Sequence, residues 1–165
     1  KNIQQHRIIA NPGCYPTSIQ IPLIPLIKKN LINLDKIVID SMSGYSGAGK
    51  NYKKKFKHKN FYNSIQAYGI EKHRHVIEIA QQLNKISKRK INFTFNPHLL
   101  PVFRGLMSTI HLELKKNKKF NQLLIALKAN IKKINLLKFL KLIILKELGV
   151  SLIPIIVRSL FAQPD

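Results

Sequence analysis

One residue in this chain can act as a soft nucleophile near neutral pH. Cys14, the only cysteine, sits in Asn11-Pro12-Gly13-Cys14-Tyr15-Pro16-Thr17. The preceding glycine lets backbone approach a ligand closely, and the following Pro-Thr suits the first turn of a helix, whose positive end stabilises an anion. A free thiol titrates near about 8.5, and helix N-termini or adjacent cations lower that value. The sequence therefore predicts a thiolate at Cys14, alkylated faster at pH 7 than a simple thiol. Backbone N–H groups from Gly13 to Tyr15 are candidates for an oxyanion hole. The plain alternative is a buried structural cysteine.

Three further stretches carry chemistry. Ser43-Gly44-Tyr45-Ser46-Gly47-Ala48-Gly49-Lys50 is a glycine-rich loop, His73-Arg74-His75 with Glu78-Ile79 offers two imidazoles, and Pro97-His98-Leu99-Leu100-Pro101 leads to Arg104-Gly105. With the Cys14 segment, these resemble, in order, four signatures of the N-acetyl-gamma-glutamyl-phosphate reductase family. The resemblance covers residues 11 to 113 and fades beyond.

It implies NADP-dependent chemistry. A thiolate attacks an acyl phosphate, phosphate leaves, and hydride reduces the resulting thioester to the semialdehyde, a step of arginine biosynthesis. Cys14 would be the nucleophile. A general acid or base is needed too, and histidine titrates in the useful range. His75 is the first candidate and His73 the second, because one sequence cannot say which imidazole faces the sulfur. By the same resemblance, Ser46, Gly47, Ala48 and Gly49 would touch the nicotinamide end of the cofactor. Arg74 and Arg104 are candidate partners for substrate anions. Lys50 stands where the family usually has arginine, keeping the charge and losing the bidentate geometry. His98 follows a proline turn and reads as structural, and His6, His58 and His111 lie outside the motif segments.

The composition bounds the rest. A chain of 165 residues suits one domain and is short for a complete dinucleotide-dependent dehydrogenase. One cysteine excludes an internal disulfide and fits a reducing cytosol, and no metal constellation is evident. The family's Gly-x-x-Gly-x-x-Gly loop and its Rossmann half are absent, so the sequence predicts a catalytic portion that needs a separate dinucleotide-binding half as partner.

The 29 Lys and Arg against 7 Asp and Glu give a formal charge of +22, which taken alone points to polyanions. The cations are mostly lysines spread along the chain beside abundant isoleucine and asparagine, as an AT-rich coding sequence would produce. We read them as solvated faces. Residues 51 to 62 interleave lysines with aromatics, a pattern that suits single-stranded nucleic acid, although we prefer to read it as a solvated insertion beside the site. No specific nucleic-acid partner and no membrane span is expected, because lysines interrupt the apolar run from Ile134 to Ile156.

The elements that must position these groups read as an α+β domain spanning residues 1–165, a mostly antiparallel sheet with helices on one face. That arrangement resembles the catalytic domain of glyceraldehyde-3-phosphate dehydrogenase-like enzymes and implies a dimer or tetramer. Ile8-Ile9-Ala10 reads as a strand end delivering Cys14. A buried helix follows from Thr17 to Lys29, kinked or shortened by Pro22 and Pro25. Strands are expected at 37–41, 65–68, 91–95 and 106–114, with a turn at Asn96-Pro97-His98. Helices are expected after His75 and over 120–134. Residues 135–165 read as a divergent tail.

Overall fold

The computed structural model describes residues 3–51, 63–70, 72–134, 140–144 and 152–159, with backbone alone for 49–51 and from residue 131 onward. The lysine-rich stretch at 53–62 lies outside the described residues. Among the described residues, three α-helices pack on a mixed six-stranded sheet. They are α1 (Cys14–Lys28), α2 (His75–Ser87) and α3 (Phe120–Ile134). The strands are β1 (Ile32–Gly44), β2 (Gln66–Ala67), β3 (Phe93–Leu100), β4 (Leu106–Leu114), β5 (Leu140–Ile144) and β6 (Leu152–Ser159), in the order β2-β3-β1-β4-β6-β5. Among the described residues β1 and β3 run parallel, and the other pairings are antiparallel.

Alternation along β1 and β4 builds the core. Ile37, Ile39, Ile110 and Leu112 face the helices and are buried, whereas Val38, Asp40, Thr109 and His111 point to the open face. Helix α1 answers with Tyr15, Ile19, Leu23 and Leu26, α2 with Ile79 and Leu83, and α3 with Leu123, Ala126 and Leu127. Spacings of three and four put each set on one helix face.

The structure departs from the sequence reading in four places. Ile8 to Ala10 form no strand; Ile8 is 89% exposed, because these residues have no neighbouring strand among the described residues. Helix α1 is not shortened: it runs for 15 residues through Pro22 and Pro25, both buried. A helix-interior proline costs about 3 kcal/mol, and the apolar face that α1 buries offsets it. Asn96, Pro97 and His98 lie inside β3, paired with Asp40, Ser41 and Met42, instead of forming a turn. Finally, part of the stretch read as a divergent tail supplies β5 and β6, with β6 registered along β4 from Leu106↔Ser159 to Glu113↔Leu152.

Candidate active site

The site gathers where parallel β1 and β3 end and the N-termini of α1 and α2 lie side by side. Helix α1 begins at Cys14 with Gly13 as its N-cap, and no side chain of its own caps it. The cap comes from α2: Glu78 Oε1 accepts the Gly13 N–H at 3.0 Å. The first turn closes through Thr17, whose Oγ1 and backbone N both donate to the Gly13 carbonyl at 2.8 and 3.0 Å. Gly13 also lies so close to α2 that an added Cβ would sit 2.6 Å from His75 Nε2. No larger residue fits this approach unless the imidazole moves.

Cys14 is solvent-accessible. Protein atoms on its inner side withhold water from the sulfur, which pushes the thiol above its ordinary value. The backbone N–H groups of Tyr15 and of Cys14 itself pull it down, and Arg74 adds a smaller pull; Glu78 pushes it up. The sequence expectation of a thiolate at pH 7 therefore meets a counterweight in burial. The Gly13 N–H is also committed to Glu78, which leaves those of Cys14 and Tyr15 as the anion-facing donors. Iodoacetamide should modify Cys14 slowly at pH 7, with a rate that climbs through pH 9. A profile already flat above pH 7 would contradict this.

The two histidines differ. His73 Nδ1 accepts the backbone N–H of His75 at 3.1 Å, so the neutral ring carries its proton on Nε2. His73 makes edge contacts with Tyr15, Tyr68 and Phe95. His75 is buried beneath Gly13, and its Nδ1 has no partner among the described residues. The Tyr15 ring lies 5.7 and 5.8 Å from the His73 and His75 rings, its hydroxyl donating to the His98 carbonyl at 3.4 Å and accepting from the Tyr68 hydroxyl at 3.2 Å; burial pushes the phenol far up, so it stays neutral.

Burial lowers both histidines below the ordinary value, helped by Arg74 and, for His73, by His75, while Glu78 partly offsets this for His75. Between the lowered native values and about 6.5, the unfolded chain binds protons that the native chain refuses. Stability from these groups is complete above pH 6.5 and is lost as the pH falls. Melting temperatures should drop on acidification from pH 7.5 to 5, and His75→Gln should flatten that slope.

The glycine loop continues β1 as a 3-10 turn, Tyr45–Asn51. Residues 101–105 clamp it: Gly44 N donates to Gly105 O, Tyr45 N to Val102 O and Ser46 N to Phe103 O, at 2.9 to 3.0 Å. Arg104 stacks over the Phe103 ring at 5.2 Å. Of the expected residues, the structure brings together Cys14, His73, Arg74 and His75. It links Ser46 to the Arg104 loop, and it describes only backbone for Gly49 and Lys50. His98 lies on β3 with its Nδ1 3.1 Å from Asn96 O. The sequence reading missed Glu78 as the cap of α1. Its place three residues after His75, on the same helix face, was the available signal. Among the described residues no cluster could hold a metal ion, and no helix is long and apolar enough to cross a membrane.

Residues 14–148 match the family described as "Semialdehyde dehydrogenase, dimerisation domain". Similar proteins include the N-acetyl-gamma-glutamyl-phosphate reductase of Rhodospirillum rubrum, 50% identical over 64% of this chain and 30% of that protein. Another is the probable chloroplastic reductase of Arabidopsis thaliana, 46% identical over 69% and 28%. The Alkaliphilus metalliredigens reductase is 44% identical over 74% and 36%. The chain thus spans about a third of the length of the relatives it matches. Among solved structures, a probable aspartate-semialdehyde dehydrogenase from Pseudomonas aeruginosa superposes with a TM-score of 0.65 over 92% of this chain and 57% of that one, at 11% identity. The Francisella tularensis enzyme gives 0.64 over 90% and 58%, at 12% identity.

Proposed function

The chain belongs to the semialdehyde dehydrogenase family through its dimerisation domain, and from that membership we propose that it supplies the catalytic face of an N-acetyl-gamma-glutamyl-phosphate reductase. The observation that carries the reading is the joint of α1 and α2. Glu78 and His75 fix the Gly13 turn, so that Cys14 presents its sulfur at a helix N-terminus beside Arg74.

On this reading the Cys14 sulfur adds to the carbonyl carbon of an acyl phosphate. The carbonyl electrons move onto oxygen, beside the Cys14 and Tyr15 N–H groups. On collapse, the bond from the acyl carbon to the phosphate oxygen breaks, leaving a thioester on Cys14 and free phosphate. Arg104 and Arg74 are the side chains suited to holding substrate anions. Of the two imidazoles, His73 suits proton transfer. Its Nδ1 is anchored by backbone and its Nε2 carries the mobile proton, whereas His75 is packed beneath Gly13.

The described residues fit one side of a nicotinamide dinucleotide. Among the described residues an added Cβ at Gly47 would meet only Ser43 Oγ, at 3.8 Å, which leaves the Ser46–Gly49 turn open toward a ring. NADP bound there supplies the hydride. Its phosphates need a dinucleotide-binding half joined to this domain.

We assign the open sheet face to a second copy, as the family's description supports. It presents Val38, Met42 and Thr109 around Asp40, which accepts from Asn96 at 2.9 Å and pairs with His111 at 3.5 Å. Sedimentation should report a dimer or a multiple of one, and Val38→Lys should shift it toward monomer. A free-thiol enzyme of this kind suits a reducing compartment such as the cytoplasm.

The test joins this chain to a dinucleotide-binding half from a related reductase and follows the reverse reaction with N-acetylglutamate semialdehyde, phosphate and NADP. Phosphate-dependent reduction of NADP is the expected result. Silence in a soluble, folded joined protein would favour a noncatalytic remnant.

A further inference from the structure

Beneath the site lies a chain of three buried hydroxyls in a core built largely of isoleucine and leucine. Ser18, Ser41 and Ser108 are 3%, 0% and 0% exposed. Ser108 Oγ lies 2.7 Å from both Ser18 Oγ and Ser41 Oγ, and Ser18 Oγ donates to the Tyr15 carbonyl at 2.9 Å. Each hydroxyl has one hydrogen, so the direction follows. Ser18 gives its proton to Tyr15 and must accept from Ser108, and Ser108 must then accept from Ser41.

The three serines sit on three different parts of the site. Ser18 lies one helical turn after Cys14 on α1. Ser41 lies on β1 two residues before Ser43, where the glycine loop begins. Ser108 lies on β4 four residues after Arg104, directly opposite Ser41 in the antiparallel register. The sheet alone fixes β1 to β4, but it does not fix how far α1 slides or turns on that pair, since apolar contacts are tolerant of small slips. Directional bonds in a dry core are not.

We propose that the Ser41–Ser108–Ser18 chain is the positioning network of the site, with Ser108 its centre. It sets α1, and with it Cys14, in register with the glycine loop and the Arg104 loop. The assignment of Cys14 as nucleophile rests on the functional reading above, while the geometry of its thiol can be measured without that reading.

The test is the pH profile of Cys14 alkylation by iodoacetamide on the full chain, with each variant first shown to be folded. What favours the thiolate is positional: the N–H groups of the first turn and the distance to Arg74. The burial that opposes it comes from surrounding bulk and survives a small shift of α1. Ser108→Ala should therefore slow alkylation at pH 9 about fivefold or more and move the inflection to higher pH. Ser108→Thr, which keeps the hydroxyl, should stay within about twofold of the parent. Ile32→Val, a core change at the far end of β1, should leave the profile unmoved. If Ser108→Ala does not fold, Ser18→Ala and Ser41→Ala carry the test, with the larger effect expected at Ser18. Profiles that superpose on the parent in the folded serine variants would overturn the proposal and leave the hydroxyls as packing. Failure of the reductase assay would sink the functional reading without touching this result.

Discussion

Cys14→Ser in the joined protein is expected to lower phosphate-dependent turnover by at least about a thousandfold, with little change in the affinity for NADP. Nucleophile removal in enzymes that form covalent intermediates commonly costs more than this. Serine keeps the size and could keep the N–H contacts of the first turn, so the loss would report chemistry. A serine hydroxyl is a far weaker nucleophile than a thiol near neutral pH, and the ester it would form is reduced by hydride less easily than a thioester. The wild-type thiol also begins at a disadvantage, since burial raises it. Binding of an anionic substrate beside Arg74 and closure against a cofactor half would change both the water around the sulfur and the charge near it. The rate should therefore rise with pH across the neutral range. A Cys14→Ser enzyme retaining a tenth of the parent rate would show that the sulfur is a bystander and would return Cys14 to a structural role.

Much of this site was legible in the sequence because its parts are local. The Cys14 turn, the glycine loop and the His73-Arg74-His75 segment each occupy a few consecutive residues, and their chemistry follows from residue type. What escaped was the joinery between distant segments. Glu78 reads in sequence as a member of the His73–Ile79 signature and a partner for Arg74, and its bond to Gly13 appears only when the fold brings the two together, 65 residues apart. Ser18, Ser41 and Ser108 read as ordinary small residues until α1 lies across β1 and β4. The same distinction explains the misread elements. Pro22 and Pro25 argue locally against a long helix, and tertiary burial overrides them. Asn96-Pro97-His98 carries local turn chemistry, yet β3 continues through it because β1 pairs alongside in parallel register. Ile8 to Ala10 have strand propensity and no strand to join among the described residues.

Gly44→Ala should be the most damaging single-atom addition in the domain. A Cβ at Gly44 would lie 2.6 Å from the Val102 carbonyl oxygen and 2.7 Å from that of Phe103, and both are backbone atoms that cannot rotate aside. Relief requires residues 102–105 to withdraw from residues 44–46. That withdrawal strains three backbone hydrogen bonds at once, from Gly44, Tyr45 and Ser46. Each such bond is worth about 1 kcal/mol net, so a loss of about 3 kcal/mol is expected, a large share of the roughly 5–15 kcal/mol that holds a domain together. Urea unfolding would show it as a lowered midpoint. Gly47→Ala, three residues on, supplies the contrast: its Cβ would meet only Ser43 Oγ at 3.8 Å, and stability should change by less than about 1 kcal/mol. In the joined enzyme the second substitution should instead weaken NADP binding, because the methyl group would enter the space left for the nicotinamide ring. The two glycines thus separate the loop's anchor from its ligand-facing surface. Equal stability losses at both would mean that the loop packs against something other than the residues 101–105 clamp.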